Sequence, residues 1–297
     1  MNREFISEKF RLLQDHICGE LEIEDGKAKF QEDLWERSEG GGGRTRIIQH
    51  GNAIEKGGVN YSAVFGPTPE KILAALNLKK SDFFATGVSI VMHPVNPWSP
   101  IIHMNVRYFE MSDGTWWFGG GIDLTPHYVI DEDAKFFHAK LKEVCDKHDR
   151  HYYPEFKDWA DNYFYIKHRS ETRGIGGIFF DRLNETRNKP KEEQFNFVMD
   201  VGNVFAPVYR ALLERNKNKP YSENELKWQR LRRGRYVEFN LVYDKGTKFG
   251  LDTDGRTESI LMSLPPMATW EYAHVPSKNS PEGETINKLS KGINWSI

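Results

Sequence analysis

His103, Asn105 and Arg107 stand two residues apart in the segment from Ile101 to Met111, with Ile102, Met104, Val106 and Tyr108 between and beside them. Side chains alternate between the two faces of a β-strand, so this spacing predicts one apolar face and one carrying an imidazole, an amide and a guanidinium. A strand face turned to plain solvent more usually carries Lys, Glu, Thr and Ser. The row reads either as a surface that holds an anion beside a proton-transfer group, or as a polar sheet face capped by a helix. The strand alone does not choose between them.

Further candidates lie elsewhere in the chain. Arg44, Arg46, Arg107, Arg173 and Arg256 fall at expected strand ends or Gly-rich turns, where a guanidinium can fork onto a carboxylate. Together they favour a small molecule bearing several carboxylates. Trp116, Trp117 and Phe118 beside Gly119 to Gly121 would give a flat apolar floor for a planar ring, or plain core. Asp244 can act as a general acid or base if buried, although an Asp at the start of a turn is normally there for the turn. His93 and His103 sit on neighbouring expected strands, and His138 and His168 on helices beside aromatics; their spacing matches no metal motif, and the helix pair reads as satisfied core or proton relay.

The elements that must position these groups follow from periodicity. Thr86 to Thr125 predicts three successive strands of one antiparallel sheet. Before them come an amphipathic helix over residues 3 to 24, a strand within Lys27 to Arg37, a mobile basic-ended loop from Gly40 to Arg46, a strand from Asn60 to Gly66 and a short helix from Thr68 to Leu78. After them come helices over Asp131 to Lys147 and from Pro154 onward, a strand reached through Arg173 to Leu183, and helices from Lys191 to Leu213 and Glu223 to Arg233. Alternation of Val237, Phe239, Leu241 and Tyr243 predicts a hairpin turning at Asp244 to Thr247 and returning through Leu251, with a further strand from Ser259 to Leu264.

Composition excludes several classes. Lys plus Arg is 41 against 43 Asp plus Glu, so nothing global points to nucleic acid or a membrane surface. No apolar run approaches a spanning helix, Met1 to Arg11 lacks a signal-peptide core, and two cysteines are too few for a disulfide framework. A cytoplasmic α+β protein without a linker is expected. The glycines at 40 to 43 are followed by Arg-Thr-Arg and so make no P-loop, and those at 174 to 177 lack the strand-before, helix-after context of a dinucleotide fingerprint.

The segments SIVMHPVNPWSPIIHMNVRYFE, GGIDLTP, YFYIKHRSETRGIGGIFFD, RRGRYVEFNLVYDKGTKFGL and GRTESILMSLPP resemble the signature segments of oxygen-dependent coproporphyrinogen III oxidases, in family order over essentially the whole chain. The resemblance implies a single domain over residues 1 to 297, built on a flat antiparallel sheet of about seven strands covered by helices on both faces, and a homodimer. It implies oxidative decarboxylation of the ring A and B propionates of coproporphyrinogen III, in haem biosynthesis, giving protoporphyrinogen IX, carbon dioxide and hydrogen peroxide. Oxygen is the co-substrate, and no organic cofactor takes part. His103 matches the family's proton donor, Asp244 an Asp engaging the pyrrole N–H groups, and Arg107 a carboxylate ligand. Ser89, the segment Asn105, Val106 and Arg107, and the segment Asp254, Gly255 and Arg256 match substrate contacts. Bacterial members are assigned a divalent metal at positions matching His93, His103, His138 and His168. The chain departs from the family at Lys245, where an Arg is common, and at Asp254, where a Gly is common.

Overall fold

The computed structural model describes residues 1–68, 73, 81–252 and 255–296. Its centre is an antiparallel sheet of seven strands in the order β1-β2-β3-β4-β5-β6-β9: β1 (Gln31–Glu36), β2 (Gly41–Gln49), β3 (Ile54–Pro67), β4 (Asp82–Pro94), β5 (Ile101–Met111), β6 (Trp116–Thr125) and β9 (Gly177–Leu183). A small hairpin, β7 (Tyr165–Ile166) with β8 (Glu171–Thr172), lies outside it. The three strands expected between Thr86 and Thr125 are β4, β5 and β6, each antiparallel to the next.

One face of the sheet is the main core. Val88, Ile90 and Met92 of β4, Met104, Val106 and Tyr108 of β5 and Phe118, Ile122 and Leu124 of β6 are buried there. Helices α1 (Arg3–Asp25) and α4 (Lys191–Asn216) pack on this face, with α2 (Asp131–His148) against α4. Their apolar stripes recur at helical spacing: Ile6, Phe10, Leu13, Ile17 and Leu21 of α1 are all buried. Helix α3 (Tyr152–Tyr163) flanks β9, pressing Phe156 on Phe180.

The opposite face is roofed by α5 (Glu223–Val242), α6 (Lys245–Asp252) and α7 (Thr257–Leu261), with α8 (Pro281–Lys288) near the C-terminus. Here the structure corrects the sequence reading. Tyr236 to Val242 is the last part of a helix, not a strand, and the expected hairpin return and the strand from Ser259 are α6 and α7. A capping box of Ser222 with Glu225 starts α5, and its buried positions Gln229, Arg232, Arg233, Tyr236, Val237 and Asn240 follow helical periodicity, while Leu241 and Val242 are exposed. Aromatic and β-branched residues imitated a strand where tertiary packing dictates a helix.

Residues 41 to 46 are likewise strand β2 and no loop. Gly43 lies under the indole of Trp35, which a Cβ would strike, so a glycine there permits the hairpin to close. The helix expected between Thr68 and Leu78 falls largely outside the described residues.

Candidate active site

Register across the sheet builds the surface under the roof row by row. Asn60 of β3 lies opposite Ser89, Ser89 opposite Asn105, and Asn105 opposite Gly121. One step along, Ser62, Gly87, Arg107 and Gly119 form a second row; in the other direction Val91, His103 and Asp123 form a third. Small and glycine positions leave the middle of this face low. Aromatic groups rise on either side: Phe83, Phe109 and Trp117 stack at one end, and Tyr163, Phe164, Phe179 and Phe239 cluster at the other.

His103 is held from below. Its Nδ1 is 2.8 Å from Asp123 Oδ1, and because a carboxylate only accepts, Nδ1–H is the donor and Nε2 is left for the face. Asp123 is fully buried and receives two hydrogen bonds from Arg173 Nη2, at 2.8 and 2.7 Å. Burial alone would raise the Asp123 carboxyl, but the Arg173 charge and the His103 hydrogen bond outweigh it, and its pKa lies below the ordinary carboxylate value. Arg173 is itself fixed: Nη1 donates to Asn240 Oδ1 at 2.8 Å, and its guanidinium lies 4.4 Å from the Phe164 ring centre and 4.7 Å from those of Tyr236 and Phe239. The chain therefore places an ionised carboxylate behind a partly open imidazole.

Arg107 rises from the same floor two residues on. It donates from Nη1 to Asn105 Oδ1 at 3.0 Å and from Nη2 to Asp181 Oδ1 at 2.8 Å, and it stays more than a third exposed. Ser89 and Asn105 are half-buried beside it. Asp244 reaches the aromatic end through Tyr163, whose hydroxyl donates to Oδ1 at 2.8 Å, while Oδ2 accepts from the Thr247 backbone N–H and hydroxyl and so caps α6. Arg256 lies over Thr45 and Ser259 and pairs with Asp33 of β1. The strands beneath Arg256 and Arg107, β2 and β5, are three strand spacings, roughly 14 Å, apart.

Residues 5–295 match the profile of a family described as coproporphyrinogen III oxidase. The chain belongs to the coproporphyrinogen III oxidase family. Over 297 residues it is 50% identical to the oxygen-dependent coproporphyrinogen-III oxidase of Drosophila melanogaster, covering 95% of this chain and 75% of that one. It is 47% identical to coproporphyrinogen-III oxidase 1, chloroplastic, of Arabidopsis thaliana, and to the oxygen-dependent, chloroplastic enzyme of Glycine max, in each case over 96% of this chain and 77% of the relative.

Of the positions matched to family site residues, the structure brings Ser89, His103, Asn105 and Arg107 onto one face, with Asp244 at its aromatic end. Gly255 and Arg256 lie at the α6–α7 connection, where the Gly255 N–H donates to Gly250 O at 2.8 Å, and Asp254 lies outside the described residues. Val106 does not join them: strand alternation turns its side chain into the main core. The arginines of β2 also leave the set, since Arg44 is bound to Gln14 and Asp15 and Arg46 to Asp15 and Glu32 on the opposite face. Arg173 is no turn residue reading a ligand but the buried partner of Asp123.

The four histidines do not fit a metal. His138 is sealed in the core, with Nδ1 on the Tyr153 hydroxyl at 3.0 Å and Nε2 on Ile175 O at 2.9 Å. His168 is exposed, with its nitrogens on the Tyr243 hydroxyl and Glu238. His93 is buried with Nε2 on Ser263 O at 2.8 Å. Among the described residues no three His, Cys, Asp or Glu side chains converge to hold an ion.

Sequence reasoning missed Asp123, Asp181 and Tyr163 as members of this site. A signal for Asp123 existed: continuing the alternation from Trp117 through Gly119 and Gly121 places it on the roofed face beside His103.

Proposed function

We propose that this chain carries out the oxygen-dependent oxidative decarboxylation of coproporphyrinogen III, converting the ring A and B propionates to vinyl groups and giving protoporphyrinogen IX, carbon dioxide and hydrogen peroxide. At each propionate the carboxylate leaves as carbon dioxide, and a hydride equivalent leaves the carbon next to the ring. That hydride and one proton reduce oxygen to hydrogen peroxide, so atoms and electrons balance. The electron-rich reduced macrocycle meets oxygen itself, and the protein's work is to hold carboxylates, exclude water and move protons.

The observation that carries this reading is the pairing, on one low face, of Arg107 with a His103 backed by a buried, ionised Asp123. Arg107 keeps donors free for a propionate. Nε2 of His103 delivers the proton, and Asp123 stabilises the imidazolium, the same division of labour as in a carboxylate–histidine pair of a hydrolase. Asp244 presents carboxylate oxygens to pyrrole N–H groups from the aromatic end. Its partner loop is held by backbone, since Lys245 N–H also reaches the Tyr163 hydroxyl at 3.2 Å while its side chain is exposed, so the change from Arg to Lys leaves that geometry in place. Ser89, Asn105, Gly255 and Arg256 complete the substrate contacts. In this reading no step passes through a metal.

The protein acts as a homodimer in the cytoplasm. Supporting an assembly, β1 is an edge strand with Leu34 69% exposed; the plant relatives are named as chloroplastic, and among the described residues no helix is long and apolar enough to cross a membrane. The deciding experiment is an assay of chelator-treated protein with coproporphyrinogen III in air and under nitrogen. Conversion in air alone, with carbon dioxide released, is expected. Conversion without oxygen, or none in air, overturns the reading.

A further inference from the structure

The geometry points to Asp181 as a positioning residue for Arg107, setting which edge of the guanidinium faces an incoming carboxylate. Three features of the backbone surround this one contact, the first two belonging to a single bulge. First, β9 departs from regular pairing beside β6: the register shifts between Phe118 and Gly120. Second, the residue after Asp181, Arg182, has φ 51°, a left-handed conformation that costs energy for a side chain with a Cβ. Alternation from Phe179, opposite Gly121, already places Asp181 on the roofed face, and the bulge at Arg182 returns Leu183 to the main core just after it.

Third, the ion pair spans β6, joining β5 to β9 directly above Gly119. A Cβ on Gly119 would run into Asp181 Oδ1 and lie 2.8 Å from Arg107 Nη2 and 2.9 Å from Nε. A side chain at position 119 would crowd the pair from below, and the ends of Asp181 and Arg107 would have to shift. An ion pair with both partners about a third exposed contributes little to stability.

The gain lies in direction. With Nη2 on Asp181 and Nη1 on Asn105, the guanidinium plane is fixed at two corners and its remaining donors are presented to the face. A long side chain ordered in advance loses less on binding than a free one. This inference rests on the reading of Arg107 as the ligand of a propionate.

The test compares Asp181→Ala, Asp181→Asn and Gly119→Ala, each alone and with Arg107→Ala, by affinity for coproporphyrin III from fluorescence titration and by KM and kcat with coproporphyrinogen III. Asp181→Ala and Gly119→Ala should weaken affinity and raise KM about tenfold, with kcat changed less than about threefold, because coupled neighbours interact on that scale. Asp181→Asn retains an acceptor and should stay within about threefold of wild type. In the Arg107→Ala background the same substitutions should have no further effect. Unchanged or tighter binding by Asp181→Ala, or an equal loss with and without Arg107, overturns the assignment. If wild type shows no oxygen-dependent turnover, the decarboxylase reading fails while the titrations still decide the role of Asp181; should Asp181→Ala not fold, Gly119→Ala decides it.

Discussion

The two faces of the sheet are made by the same strands and obey opposite rules. On the core face, Val88, Met104, Val106, Phe118 and Ile122 are fully buried against α1 and α4, and packing alone explains each. On the roofed face, one residue along in every strand, stand Ser89, His103, Asn105, Arg107 and Asp123, whose arrangement makes no sense as packing: a charge is buried to hold an imidazole, and an arginine is left part-open. The lesson is that strand alternation divides labour with one-residue precision, so adjacent residues should respond to substitution in different currencies.

Three substitutions test that division, from the largest expected effect down. His103→Asn should lower kcat about 10²–10⁴-fold, the range for removing a positioned acid or base, with a thermal midpoint close to wild type; a parallel loss of stability would place His103 with the packing. Phe118→Ala, on the other face and one strand over, should destabilise by about 3–5 kcal/mol in denaturant unfolding while KM of the remaining folded enzyme is unchanged. A raised KM would break the separation of faces.

The third concerns acid. Burial pushes the His127 imidazole down to about 3 and that of His138 to about 4, so both are neutral in the folded chain. An unfolded histidine protonates near 6.5, so between that value and 4 the unfolded chain binds protons that the native one does not. The stability these groups contribute is complete above about pH 6.5 and is lost as pH falls, by about 2 kcal/mol per histidine at pH 5. His138→Gln should show a smaller drop in unfolding free energy between pH 7 and 5 than wild type. An equal drop would mean that His138 takes up a proton without unfolding.

The legible parts of the molecule were those where one period dominates. The row His103, Asn105, Arg107 and the stripe Ile6, Phe10, Leu13, Ile17 identified their elements because each has one wet and one dry side. The roof was misread because α5 is buried unevenly: Arg232 and Arg233 are inside it while Leu241 and Val242 are outside, so hydrophobicity no longer marks its inner face. Arg44 and Arg46 deceived in another way. Their glycine neighbours suggested a loop, whereas the glycines admit Trp35 and the arginines serve acids of α1 and β1. The family resemblance supplied the identity of His103 and Arg107, but no spacing in the chain reveals that Asp181, 74 residues later, shares a contact with Arg107.

Arg173 has one more consequence. It joins Asp123 in the floor to Asn240 in the roof and lies among rings of β9's flank and α5, so floor and roof are riveted at that point. At the other end the roof meets the floor through Asn60 with Ser259 and Arg256 with Asp33, contacts nearer to water. The two ends of the roof are thus held by different chemistry: a buried ion pair stacked among rings at Arg173, and half-buried polar contacts at Asn60 and Asp33.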